Sequence, residues 1–247
     1  MAFPHARTVW VTGATSGIGR ACVTALADRG HKVIALGRRA ERLDELRAQL
    51  PEHTVHPVAC DVQDLDQVAA AFGALPDEFS QVDALINNAG LMLGLGRFDV
   101  LSPSHMNDML MTNCMGVMNN TSALLQSLRR SGRGQIVNIT SIAAFYPYVT
   151  GHVYAATKAF VEHFGANLRT EISGEGIRVT NIAPGRTDTE FHQVRAGADG
   201  QATFPTGTPM LHPQDVADAV LWVLEQPARV CVQAIELVPA GQSLSFR

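Results

Sequence analysis

Thr8-Val9-Trp10-Val11-Thr12-Gly13-Ala14-Thr15-Ser16-Gly17-Ile18-Gly19 is a short β-type run that breaks into a glycine-rich turn. A helical pattern follows from about Arg20 to Arg29, with Cys22, Val23, Leu26 and Ala27 on one face and Gly30 at its end. Strand, glycine turn and helix in that order are the context in which a turn cradles a phosphate. Glycines let the backbone pass close to a pyrophosphate, and the helix N-terminus supplies free N–H groups and positive dipole. Gly13, Thr15, Ser16, Gly17, Ile18 and Gly19 are the candidate contacts. The spacing is Gly-x-x-x-Gly-x-Gly, not the common Gly-x-Gly-x-x-Gly, and alone it also suits a plain tight βα connection.

Outward from this turn, Lys32-Val33-Ile34-Ala35-Leu36 reads as a second, buried strand that ends at Gly37-Arg38-Arg39. The end of that strand is where a dinucleotide fold inspects the adenosine ribose. An acidic residue there would bond a free 2′-hydroxyl, but none stands at Leu36 or Gly37. Arg38 and Arg39 instead offer forked, permanently charged donors suited to a 2′-phosphate, so NADP(H) is the expected cofactor. Their alternative is the start of a solvated helix, Ala40 to Leu50. A third strand, Val55 to Cys60, leads to Asp61 and Val62. Asp61 suits the adenine edge, and a surface carboxylate or helix cap serves equally well as a reading of that residue alone.

The alternation continues along the chain. Asp64 to Phe72 reads as a helix, and Val82 to Ile86 as a fourth strand that runs into Asn87-Asn88-Ala89-Gly90. Asparagine and glycine make a structural turn the default there, and its position after the fourth strand puts Asn88 beside the same crevice. A long helical region spans about Ser102 to Leu128 and contains Asn113. Strands follow at Gln135 to Thr140, ending beside Ser141, and at Arg178 to Ala183, ending at Pro184-Gly185. Asp215 to Leu224 is a helix, and Val232 to Val238 a seventh strand. Short apolar strands alternating with helices, with no linker and no repeat, imply one doubly wound α/β domain over 1–247, a parallel sheet of about seven strands with helices on both faces. The stretch 186–211 is glycine- and proline-rich and too long for a passive connection; it reads as a substrate lid.

Composition narrows the function. The 247 residues are 46% hydrophobic and 17% charged, which suits a large globular core. A net charge of −4 and no basic patch argue against nucleic acid. No window approaches about 18 uninterrupted apolar residues, so no membrane span is expected, and the first residues carry no signal core. Cys22, Cys60, Cys114 and Cys231 show no Cys-x-x-Cys and read as buried free thiols in a reducing compartment, hence the cytoplasm. The nine histidines show no metal-ligand pair, and no metal is expected.

The chemistry sits in Tyr154-Ala155-Ala156-Thr157-Lys158. Four residues apart on a helix, Tyr154 and Lys158 share a face, about 5–6 Å between Cβ atoms. A phenol of pKa about 10 is a poor acid or base near neutrality, and a nearby ammonium favours its phenolate. The pair can therefore give or take the proton that reducing a carbonyl or oxidising an alcohol requires.

Together these residues resemble the short-chain dehydrogenase/reductase family over nearly the whole chain. Thr12-Gly13-x-x-x-Gly17-Ile18-Gly19, Asn87-Asn88-Ala89-Gly90, Asn113, Ser141, Tyr154-x-x-x-Lys158 and Pro184-Gly185 fall in its order and spacing. The resemblance implies Tyr154 as proton donor and acceptor, with Lys158 holding the nicotinamide ribose and depressing the Tyr154 pKa. It implies Ser141 on the substrate oxygen, Asn113 positioning a relay water, and Pro184, Gly185 and Thr187 on the cofactor. A closer likeness is to NADP-dependent 3-hydroxy acid (serine) dehydrogenases and sulfoacetaldehyde reductases. It is carried by Gly30 to Arg39, Tyr154 to Val161, Asn167 to Glu171, Thr189-Glu190-Phe191 and the Val194-Arg195 pair. This subgroup tends to tetramers. The turn Pro184-Gly185-Arg186-Thr187-Asp188-Thr189 and the short tail after Gln242 depart from it.

The expected activity is NADP(H)-dependent hydride transfer to or from a small alcohol or carbonyl compound, of the short hydroxy acid or acidic aldehyde class. Arg195 is the candidate grip for an acidic group, with Arg186 second. Phe145, Val149, His152 and Phe191 are candidate pocket walls, with His152 also able to cap its helix. A carbonyl reductase for neutral, bulky substrates and a non-catalytic NADP-binding regulator are the alternatives.

Overall fold

The computed structural model describes residues 6–192 and 207–244. Seven parallel strands form one sheet in the order β3-β2-β1-β4-β5-β6-β7. They are β1 (Thr8–Thr12), β2 (Lys32–Gly37), β3 (Val55–Ala59), β4 (Ala84–Asn87), β5 (Gln135–Ile139), β6 (Arg178–Pro184) and β7 (Ala234–Leu237). The helices include α1 (Gly17–Asp28), α2 (Ala40–Ala48), α3 (Leu65–Gly73), α4 (Pro103–Leu110), α5 (Gly116–Arg130), α6 (His152–Glu171) and α7 (Pro213–Glu225) among the described residues. This is the doubly wound Rossmann-type architecture expected from the alternation.

Period-two alternation divides the strand residues between two cores. Val9, Val11, Val33 and Ala35 point to one face and pack with Leu26 of α1, Leu46 of α2 and Val220 of α7. Trp10, Ile34 and Leu36 point to the other and pack with Val68 of α3, Leu124 of α5 and Leu168 of α6. Helices on both faces leave the central strands no wet side, which is why they read as continuous apolar runs. The pairing order reverses between β1 and β4, and the crevice of such a sheet opens at the carboxyl ends of the strands on either side of that switch point.

Several elements depart from the sequence reading. The fourth strand begins at Ala84, not Val82; Asp83, just before it, turns its carboxylate onto the Thr8 N–H (3.0 Å) and the Arg133 guanidinium. The long helical region is interrupted by a π segment at Met111–Met115. Cys231 is exposed, unlike the other three free thiols, because it lies in the loop before the edge strand β7. Of the segment read as a lid, the described ends are tied together. Thr187 bridges Leu211, the Asp188 N–H donates to the Leu211 carbonyl at 2.8 Å, and the Leu211 N–H donates to the Arg186 carbonyl at 2.8 Å. The rest of that segment, 193–206, lies outside the described residues. No helix among the described residues is long and apolar enough to cross a membrane.

Candidate active site

A cavity of about 550 Å³ opens at the carboxyl ends of the strands. Its floor at one end is the glycine turn. Gly17 takes a left-handed backbone, φ +51°, and a side chain at Gly19 would put its Cβ 2.2 Å from the Gly13 carbonyl oxygen. That approach admits only glycine and brings the first turn of α1 against the strand end. Ser16 caps α1 without a side-chain bond and the first turn holds no acidic residue, so the positive helix end faces the cavity uncompensated. This fits a pyrophosphate.

Asn88 ties this turn to β4. Its amide donates to the carbonyls of Thr12 (2.9 Å) and Gly13 (3.3 Å), while the Thr12 hydroxyl accepts from the N–H groups of Asn88 and Ala89. Arg38 and Arg39 line the cavity beyond the turn, with Asp61 and Val62 on the adjoining wall. The Arg39 guanidinium folds back to Thr15 Oγ1 (2.6 Å) and Ser16 Oγ (3.2 Å). Asp61 caps its own loop by accepting the Gln63 N–H.

The other end of the cavity holds Ser141, Tyr154, Lys158, Pro184, Gly185, Thr187 and Phe191. Ser141 has an extended backbone and its oxygen accepts the Ala143 N–H at 3.1 Å, which leaves its own O–H to donate. The Tyr154 ring is buried, packing against Phe191 with centroids 5.5 Å apart. Lys158 lies one turn further on, its Nζ 5.9 Å from the Tyr154 ring centre and donating to the Ile139 carbonyl at 2.9 Å. Burial pushes its pKa down to about 8, opposed by the Cys114 thiol and the Glu162 carboxylate. Gly90 leaves the room for that ammonium, since a Cβ there would stand 3.2 Å from Nζ.

Asn113 falls inside the π segment, 1% exposed, behind the cavity wall. Its amide exchanges bonds with the Leu91 backbone, accepting at 2.8 Å and donating at 2.9 Å, and donates to Thr157 Oγ1. The side chain thus pins the loop after β4 to α6. A π bulge at a functional site is a common use of that rare geometry.

Three of the substrate candidates are not brought to the cavity. Phe145 is 45% exposed and packs on Tyr146, and Val149 is 84% exposed. His152 is not the cap of α6, a position Gly151 holds, but its first residue; its Nδ1 accepts the Val153 N–H and its ring packs on Phe98. Arg195 lies outside the described residues.

Conversely, Leu91, Met92, Tyr148, His192 and Gln242 line the cavity without a place among the candidate site residues, as does Glu190, which the sequence marks only as part of the family likeness. Leu91 and Met92 follow Asn87-Asn88-Ala89-Gly90 directly, which was a usable signal; Gln242 in the tail carried none. Its Oε1 accepts the Arg186 N–H at 2.9 Å and supports the turn after β6.

A buried polar row also went unread. Asn87, Asn138 and Asn181 stand in register across β4, β5 and β6 and bond side chain to side chain at 2.9 and 3.0 Å. Asn181 then donates to the Glu162 carboxylate at 2.7 Å, and Glu162 accepts the Thr140 hydroxyl. The row locks the end of β5, next to Ser141, onto α6, which carries Tyr154 and Lys158.

A family model for short chain dehydrogenase matches residues 7–199. The chain belongs to the short chain dehydrogenase family. Among curated members it is 41% identical to a serine 3-dehydrogenase of Agrobacterium fabrum over 240 residues, 96% of each chain. It is 42% identical to a sulfoacetaldehyde reductase of Chromohalobacter salexigens over 241 residues, 96% of this chain and 95% of that one. The solved closed form of a serine dehydrogenase complexed with NADP+ superposes with a TM-score of 0.91 at 41% identity, covering 95% of this chain and 96% of that one. As in other members of this dehydrogenase family, any activity rests on the site and not on the fold.

Proposed function

We propose that this protein is an NADP(H)-dependent oxidoreductase acting on a short hydroxy acid or the corresponding acidic aldehyde or ketone. The observation that carries the reading is the buried Lys158 ammonium one turn from Tyr154, with Ser141 on the same cavity as the glycine turn. NADPH, when bound, supplies the hydride that reaches the carbonyl carbon. The Tyr154 O–H gives its proton to the carbonyl oxygen, and the Ser141 O–H donates a hydrogen bond to the same oxygen. The Lys158 charge stabilises the phenolate left behind. Alcohol oxidation runs these roles in reverse.

The glycine turn would hold the pyrophosphate and Arg38 and Arg39 the 2′-phosphate. Replacing both arginines with alanine should raise KM for NADPH far more than KM for NADH; an equal rise would remove the 2′-phosphate role. Arg186, on the cavity wall, and Arg195 supply cationic charge for an acidic substrate group. The serine and sulfoacetaldehyde relatives support that class. The reading extends to a homotetramer in the cytoplasm. The exposed Phe160, stacked on Phe164 along α6, supports a subunit contact, and the free thiols support a reducing compartment.

The test is NADPH oxidation, with NADH in parallel, against small aldehydes and ketones with and without an acidic group. Acidic members should turn over preferentially with NADPH. Preference for neutral, bulky carbonyls would make the protein a general carbonyl reductase. NADPH binding with no turnover across the panel would make it a non-catalytic regulator.

A further inference from the structure

We propose that Glu190 is an internal counter-anion at the adenosine end of the cleft, one that the 2′-phosphate of the dinucleotide must displace from Arg39. Glu190 thereby helps to set how tightly the chain holds phosphorylated against unphosphorylated dinucleotides. The inference rests on the reading of Arg38 and Arg39 as the 2′-phosphate ligands.

The geometry is specific. The Glu190 carboxylate accepts two bonds from Arg42 Nη1, at 2.8 and 3.0 Å, and stands 3.6 Å from Arg39 Nη1. Glu190, Arg38, Arg39 and Thr15 line the same cavity. Thr189, the preceding residue, is seated on the glycine turn, its Cγ2 3.0 Å from where a Gly17 Cβ would lie. A carboxylate is therefore held beside the guanidinium that a phosphate would seek. The hydrogen bond from Arg42 keeps the Glu190 carboxyl below the usual range, so it is charged at any working pH.

Exchange is feasible because these groups are between 40% and 45% exposed, and ion pairs of that exposure are weak. A dianionic phosphate outbids one carboxylate for Arg39, and Arg42 retains Glu190 as the pair separates. The negative charge stays in the neighbourhood, so phosphate binding carries a repulsive contribution. A 2′-hydroxyl neither competes for Arg39 nor meets that repulsion.

The experiment measures dissociation constants of NADPH, NADH and adenosine 2′,5′-bisphosphate by fluorescence titration or calorimetry, in wild type, Glu190→Gln and Arg39→Ala. Glutamine keeps the size and an acceptor for Arg42 and removes only the charge. Glu190→Gln should tighten both 2′-phosphorylated ligands by about fivefold at low salt, with the gain shrinking as salt is added. NADH should be unchanged. Unchanged or weaker binding of the phosphorylated ligands, or equal tightening of NADH, would overturn the proposal. Arg39→Ala separates the two levels. If it weakens only the phosphorylated ligands, the arginine reading stands whatever Glu190 does; equal weakening of NADH would overturn both.

Discussion

Tyr154→Phe should reduce kcat by about 10³-fold, within the range set for a positioned proton donor, while NADPH binding stays nearly unchanged. The substitution removes one oxygen and keeps the ring. That ring is buried with Met92, Met109 and Ala143 and packs on Phe191, so phenylalanine fills the same volume without strain. The groups expected to hold the dinucleotide's phosphates are the glycine turn and the arginines, at the far end of the cavity. The split between lost chemistry and retained binding is what a proton donor predicts and a packing role does not. Single-turnover reduction of an acidic aldehyde, alongside a fluorescence titration of NADPH, reads both quantities. Residual turnover within about tenfold of wild type would move the proton source to solvent or to Ser141. Loss of NADPH binding would mean that the phenol holds the cofactor and that its chemical role had been overstated.

The parts of the site that could be read in the sequence are those in which a residue's type is forced by local geometry. Gly19 is glycine because the strand end leaves no room for a Cβ. Tyr154 and Lys158 are four apart because a helix brings such residues together. The arginines after β2 follow from a strand whose end is set by its own apolar run. What could not be read depends on pairings between distant segments. Asn87, Asn138 and Asn181 look like separate strand residues until the β4-β5-β6 register aligns them. Gln242 reaches the turn after β6 from 56 residues away. Phe145 and His152 stand close in sequence to Ser141 and Tyr154, and only that proximity points them to the pocket. Sequence distance does not fix direction: the short 3-10 turn Ile142–Ala144 and the start of α6 aim both away from it. Asn113 was legible as a polar residue in an apolar helix, yet the π segment that seats it has no signature in the residue pattern.

Lys158→Met should lower activity by about 10²-fold or more and at the same time make the folded protein more stable near pH 7. Lys158 is 5% exposed with one backbone carbonyl in reach, so burying its charge is costly. Burial holds the folded pKa at about 8, below the ordinary lysine value of 10.5 that the unfolded chain keeps. Between these two values the unfolded chain binds more protons than the folded one, so stability from this group rises with pH across that window. Below about pH 8 the full penalty, about 3 kcal/mol as an order of magnitude, is present. Methionine has no proton to bind and fills the site with an apolar stem. The stability gap favouring the variant should therefore be widest at pH 7 and narrow from pH 8 toward 10.5. Cys114, the neighbouring thiol, is pushed up to about 11 by burial and titrates above most of that window. Urea unfolding of wild type and variant at pH 7 and 10 isolates Lys158, because every other group is common to both. A gap constant across pH would show that the ammonium titrates as it does in water, and would remove the electrostatic basis for its influence on Tyr154. A gap that narrows, together with the lost activity, would mean that the site holds a charge the fold alone disfavours and that the reaction requires.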